Sequence, residues 1–300
     1  MQRHERLDAT AIAAVAVLCA LWGGQQVAVK LAVADGFPPL LQCALRSAGG
    51  AALCALWMAA RGGLRRKPSA AALLSGSIIA VLFAAEFVAV YLGLTRTTAS
   101  RSVLFFYTAP FFTALFATLF LPGEQLLASQ AVGLAVAFAG LAAAFAEGLL
   151  RGGGSLSGDL LCALAAALWA ATSVVIKAMP ALRQVSPATL LLYQLGGSAP
   201  LLLAGAALLG ETAAAPHPGL LAWASVAYQT VIVAFASYLV WFRLLQTYPA
   251  TRLSGFTFLT PVFGILAGGV VLHEPLSAGL VAGLVAISLG LRLLNRPAPA

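Results

Sequence analysis

Two charged residues stand inside long apolar runs. Glu86 lies in Phe83-Ala84-Ala85-Glu86-Phe87-Val88, and Arg46 follows Pro39 by seven residues in another such run. A charge at the centre of a bilayer costs about 2.5–3.5 kcal/mol on insertion scales, so such residues face a cavity or a partner. Glu86 therefore has two readings. It is a proton carrier or an anchor for a cationic substrate group, or it pairs structurally with Arg46 or another buried donor. Arg46 can also snorkel toward the interface along its apolar stem.

Two polar stripes accompany these charges. Trp22, Gln25, Gln26 and Lys30 fall on one broad helical face by the i, i+3, i+4 rule. Trp169, Thr172, Ser173 and Lys177 repeat the pattern. Facing inward, the aromatic, amide and hydroxyl groups form a wall for an organic solute. Facing a neighbour, they act as interhelical glue, and the two lysines read as interfacial anchors. Tyr91 and Tyr107 add polar-capable rings in the first half of the chain, and Gln229, Tyr238 and Trp241 in the second. Pro110 and Pro261 each remove a backbone donor and can kink their helices for gating or for packing. Gly264, Gly268, Gly269, Gly279, Gly283 and Gly290 permit close helix contact, internal or between two copies.

The elements that position these residues follow from composition. Of 300 residues, 61% are hydrophobic and 9% are charged, against roughly 25% charged in a soluble domain. Mean hydropathy is +0.97. Lipid must be the solvent for most of the surface, which restricts the backbone to helices or a closed barrel. The apolar runs are continuous rather than alternating, which rejects a barrel. The net charge of +8 sits at the ends of apolar runs, without the aromatic-basic pattern of a nucleic-acid reader. Cys19, Cys43, Cys54 and Cys162 lie within apolar runs, lack metal-ligand spacing and read as packing residues. Met1–Asp8 is short and charged, shows no cleavage signal, and is read as leading into a retained first helix.

About 20 apolar residues make a span. Ten fit: 9–33, 38–59, 69–94, 99–121, 125–146, 157–179, 186–209, 218–245, 250–272 and 276–294. Gly and Pro clusters separate them. With a cytoplasmic N-terminus, twelve of the 17 basic residues fall inside: Arg3, Arg6, Arg61, Arg65, Arg66, Lys67, Lys177, Arg183, Arg243, Arg252, Arg292 and Arg296. Lys30, Arg96, Arg101 and Arg151 fall outside. The bias places both termini in the cytoplasm.

The two halves repeat. Trp22 and Lys30 are spaced as Trp169 and Lys177. Ala99-Ser100-Arg101 leads to Pro110 as Ala250-Thr251-Arg252 leads to Pro261. Pro39 to Arg46 matches Pro187 to Gln194, and Glu124 and Glu274 each follow the end of a span. A period of five spans turns the second half upside down. Inverted repeats are a mark of secondary transporters, whose halves rock about a site near the midplane.

On these residues the chain resembles the EamA-type branch of the drug/metabolite transporter superfamily. The repeats of that family carry an early Trp, a Pro followed by Arg in the second helix, and a Pro within the fourth. Here these are Trp22, Pro39 with Arg46, and Pro110, then Trp169, Pro187 and Pro261, with Gln194 in place of the second Arg. The resemblance implies an all-α integral membrane protein of ten helices in two inverted five-helix repeats, 1–148 and 149–300. It also implies a structural role for Arg46, such as bonding helix-end carbonyls. The cavity would be lined by the first, third and fourth helices and their repeat partners, with the fifth and tenth peripheral. Members move amino acids, other metabolites and drugs, often outward, and some couple to protons.

Competing classes lack positive signs. No paired carboxylates, HExxH or nucleophile motif appears, and His4, His217 and His273 fall in loops or ends. No filter loop marks a channel, and no GxxxxGK loop marks an ATPase. The expectation is therefore a non-enzymatic secondary transporter, exporting amino acids or related metabolites by alternating access, with protons as a coupling ion. A lipid or drug flippase of the same fold is the alternative. The expected place is a bacterial inner membrane, with a small-molecule substrate and lipids as partners. No nucleic acid, cofactor or metal is expected, and monomer and homodimer fit equally.

Overall fold

The computed structural model describes residues 6–62, 68–212, 218–273 and 279–296. Arg3, His4, Arg65, Arg66, Lys67, His217 and Glu274, each named above, lie outside the described residues. Within them every regular element is helical. Eight helices are long and apolar enough to cross a membrane: α1 (Ala9–Ala34), α2 (Pro39–Ala60), α3 (Ala70–Leu94), α4 (Ala99–Phe120), α6 (Leu156–Ala178), α7 (Pro187–Leu208), α8 (Leu220–Thr247) and α9 (Ala250–Val271). Two apolar helices are shorter, α5 (Ala128–Ala144) and α10 (Gly279–Leu294). α5, at 17 residues, reaches about 25 Å, less than the hydrocarbon thickness of about 30 Å, and α10 has 16 residues among those described.

Short polar side chains set the helix starts. Asp8, Ser69, Thr98, Ser155 and Ser186 each accept a bond from the backbone N–H three residues on. That satisfies donors that have no partner within the helix. Pro39 and Pro187 occupy the first turns of α2 and α7, where their missing N–H is not needed.

Three spans are irregular. α4 breaks at Tyr107 and Thr108, between Ala99–Phe106 and Ala109–Phe120. α9 breaks at Thr257 and Phe258, between Ala250–Phe256 and Leu259–Val271. Pro110 and Pro261 cannot donate to the ladder, so each break falls just before its proline. The Phe256 carbonyl instead accepts the Cys19 thiol at 3.4 Å. In α8, Gln229–Ser237 winds as a π-helix between two α segments. Wide turns of this kind are frequent at functional sites.

The helices pack across the two halves more than within them. α2 lies along α7, and α5 along α10. α1 packs on α8 and α9, and its counterpart α6 packs on α3 and α4. Each cross-pairing thus has a matched partner. α5 and α10 meet through glycines. A Cβ on Gly133 would stand 2.7 Å from the Gly290 carbonyl, and one on Gly140 2.7 Å from that of Gly283. Gly283 and Gly290 therefore serve an internal seam. Outward, Leu56, Leu74, Leu119, Phe120, Val270 and Val281 are exposed, as a surface solvated by lipid requires.

Candidate functional site

Helix periodicity brings the early tryptophans and the second part of α8 together. Trp22 on α1 donates its indole N–H to Ser237 Oγ at 2.8 Å. Its ring meets Trp241 at 5.4 Å and Tyr238 at 6.1 Å, both edge to face. Trp169 on α6 lies 5.5 Å from Trp241. Phe83 on α3 contacts Tyr238 at 6.0 Å and Phe87 at 4.9 Å. Four helices from both halves thereby build one aromatic enclosure. Trp22, Trp169 and Tyr238 keep part of their surface accessible.

Arg46 and Glu86 belong to this enclosure. The Arg46 guanidinium centre sits 4.3 Å from the centroid of Phe87, one residue beyond Glu86. Arg46 is 1% exposed and Glu86 4%. Arg46 and Glu86 act on each other electrostatically, and both act on Tyr238. Tyr238 stands within hydrogen-bonding reach of the Arg46 guanidinium; otherwise its nitrogens have no partner among the described residues, and Glu86 Oε2 has none. No ion pair closes between them among the described residues. Among the described residues Arg46 donates to no helix-end carbonyl. Its head is buried, over the Phe87 ring and beside Tyr238. Unpaired buried charges are rare because they cost several kcal/mol, and each calls for an explanation.

The remaining sequence candidates divide. Ser173 is buried one turn beyond Trp169. Gln25 is half-buried on α1. Gln26 packs at the α1–α9 crossing, its Oε1 2.6 Å from where a Cβ on Gly264 would stand. Tyr107 is buried at the break of α4, near Thr260 and Cys19. Pro110 and Pro261 are buried just after the two breaks. Tyr91 lies toward Glu211, near the end of α3. Gln229 commits its amide to Gln42 Oε1 at 2.8 Å, and Gln42 in turn donates to the Phe37 carbonyl. Sequence reasoning missed Phe83, Phe87 and Ser237. The repeat held a signal for the last: counting back thirteen from Ala99 gives Glu86, and from Ala250 gives Ser237.

Polar ties join helix ends at both faces of the bundle. At the face of the chain termini, Glu124 Oε1 pairs with Lys177 Nζ at 2.8 Å, and its Oε2 accepts the Ala250 N–H at 2.7 Å. Lys177 also donates to the Tyr248 carbonyl at 2.5 Å. The Tyr248 hydroxyl donates to Asp8 at 2.7 Å. Lys177 is therefore no interfacial anchor. It is buried because a carboxylate and a carbonyl satisfy its charge. At the other face Asp35 accepts from Gly219 N–H, Glu211 accepts from Leu41 N–H, and Asp159 holds Arg101 and Thr97. All of these ties except Lys177–Tyr248 join the first half of the chain to the second.

Comparison with known proteins decides the family. The EamA-like transporter family matches residues 9–146 and again residues 156–296. The chain belongs to the EamA-like transporter family. Membership makes this an integral membrane transporter. The uncharacterized transporter YvbV of Bacillus subtilis (strain 168) is 29% identical over 285 residues, covering 94% of this chain and 90% of that one. An uncharacterized transporter of Archaeoglobus fulgidus is 35% identical over 72 residues, 24% of this chain and 26% of its own. A solved crystal structure superposes with a TM-score of 0.78 at 20% identity, covering 95% of this chain and 98% of that one. That last likeness concerns the fold alone. In this EamA-like transporter, α1, α3, α6 and α8 supply the rings of the enclosure, and α2 supplies Arg46.

Proposed function

We propose that this EamA-like protein is a secondary transporter that exports amino acids or related small metabolites by alternating access. The observation that carries the reading is the pair of buried charges with unused bonding atoms, Arg46 and Glu86, inside an aromatic enclosure. A guanidinium with free donors is suited to a carboxylate. A carboxylate with a free oxygen is suited to an ammonium, and the surrounding rings to an apolar side chain. A zwitterionic solute supplies the partners that the fold withholds. Of the sequence candidates, Trp22, Trp169, Ser173, Tyr238 and Trp241 form its walls, with Gln25, Gln26, Tyr91, Tyr107 and Gln229 along the path to either face. Glu86 is also the coupling candidate, exchanging a proton when no ammonium occupies it.

The rest of the architecture is read in the same frame. Residues 1–148 and 149–300 form two inverted repeats of five spans, supported by the matched helix pairings and the paired breaks before Pro110 and Pro261. α5 and α10 complete ten spans despite their length, as shorter spans do by thinning the bilayer locally. The two end networks open in turn while the halves rock about the centre. The basic bias supports cytoplasmic termini and a bacterial inner membrane.

The test is counterflow in proteoliposomes loaded with a pool of amino acids. Wild-type protein is expected to show saturable exchange. Glu86→Gln is expected to lose proton-driven net flux and to weaken exchange about tenfold or more, the scale of a lost charged hydrogen bond of about 1.5–3 kcal/mol. Exchange and proton-driven flux both unchanged in the variant would remove Glu86 from the site.

A further inference from the structure

A second site lies on the flank of the bundle, at the face of the chain termini. There a groove of about 430 Å³ opens between the end of α2, the start of α7 and the second part of α8. Its walls come from both halves of the chain. One end is cationic. Arg61 closes α2 with its guanidinium 3.8 Å from the centroid of the Trp57 indole, and Arg243 projects from α8. Both are exposed, and among the described residues neither has a carboxylate partner. The same end holds the start of α7, where Ser186 and Thr189 share a hydroxyl–hydroxyl bond of 2.9 Å. The positive end of the helix dipole adds to the field there. The other wall is apolar: Trp57, Met58, Leu239 and Val240. Trp57 and Val240 are exposed, as is the adjoining Leu56. The groove therefore faces the lipid side of the bundle rather than its interior.

Two unpaired guanidiniums beside a hydroxyl pair match a phosphate. The apolar wall matches the glycerol and upper acyl chain attached to it, and a soluble phosphate would leave that wall without a partner. Basic pockets between membrane helices at the cytoplasmic side bind anionic headgroups on the same principle. We infer that this groove is a binding site for an anionic phospholipid of the leaflet on the side of the chain termini. Arg61 and Arg243 hold the phosphate, and Trp57, Leu239 and Val240 lie along the chain. The inference does not rest on the substrate proposed for the central enclosure. Because the walls come from both halves, a lipid seated here bridges elements that must move relative to one another.

Native mass spectrometry of the purified protein, offered equal phosphatidylglycerol and phosphatidylcholine, tests this directly. Wild type is expected to retain phosphatidylglycerol preferentially. Each of Arg61→Gln and Arg243→Gln is expected to cut the preference about fivefold, the scale of one basic residue at an anionic surface, and the double variant to abolish it. Quenching by brominated phosphatidylglycerol, taken as the difference between wild type and Trp57→Phe, is expected to exceed that by brominated phosphatidylcholine. Millimolar inorganic phosphate is expected to leave both readings unchanged. Equal retention of the two lipids, a preference surviving the double variant, no lipid difference at Trp57, or displacement by inorganic phosphate would each overturn the assignment, the last in favour of a soluble anion.

Discussion

The double variant Arg46→Met, Glu86→Gln is expected to lose about 100-fold or more in exchange while unfolding at the wild-type temperature or above it. The loss follows from removing both charged partners of the solute, and truncating one buried charged partner alone costs about 2–5 kcal/mol in a complex. The retained stability follows from what the two residues do in the free protein. Among the described residues the Arg46 guanidinium has Tyr238 alone within hydrogen-bonding reach, and Glu86 leaves one carboxyl oxygen without a partner. Their burial is a cost that the fold carries, and replacing buried charges by side chains of similar size is often neutral or stabilising by about 1–4 kcal/mol. A site that binds well is commonly less stable than the scaffold permits. Thermal unfolding in detergent, run beside counterflow, reads both quantities. Collapse of the fold in this variant would make the pair structural and remove it from the binding account.

The opposite is expected of the other buried pair. Glu124→Ala is expected to destabilise the protein by about 3–5 kcal/mol, the cost of removing one member of a buried ion pair. Glu124 joins three elements through two oxygens, one on Lys177 at 2.8 Å and one on the Ala250 N–H at 2.7 Å. Its loss takes the carboxylate from Lys177, which is 8% exposed, and the acceptor from a buried backbone donor. Glu124→Gln combined with Lys177→Met removes the two charges together and is expected to regain most of that loss, since neighbouring residues in one network do not act additively. Thermal unfolding of the single and double variants measures the coupling. A Glu124→Ala protein as stable as wild type would show that this network does not hold the two halves together.

The contrast explains what the sequence could and could not disclose. Glu86 and Arg46 stood out because a charge within an apolar run is conspicuous without any neighbour being known. The same rule hid Lys177, which lies near the end of its span and looks like an ordinary anchor. Its partners, Glu124 and Tyr248, are 53 and 71 residues away, and periodicity carries no information across such gaps. The tryptophans were legible through the repeat. Phe83 and Phe87 were not, because one more phenylalanine in an apolar span has no distinguishing mark. Eight of the expected spans match membrane-length helices to within a few residues, since lipid enforces continuous apolar runs. The breaks in α4 and α9 were signalled by Pro110 and Pro261. The π-helix of α8 carries no Pro or Gly. Thr230 and Ser237 bond back to the carbonyls four residues earlier, a competition with the ladder that bends helices but leaves little trace in the sequence.

In the proposed transport cycle a solute meets Arg46 with a carboxylate and Glu86 with an ammonium. Competition in wild-type counterflow tests it most directly, using a transported amino acid, its decarboxylated amine and its N-acetyl derivative. The intact amino acid is expected to compete best and each derivative to be weaker by about tenfold or more, since each leaves one buried charge without its partner. Equal competition by all three would contradict it.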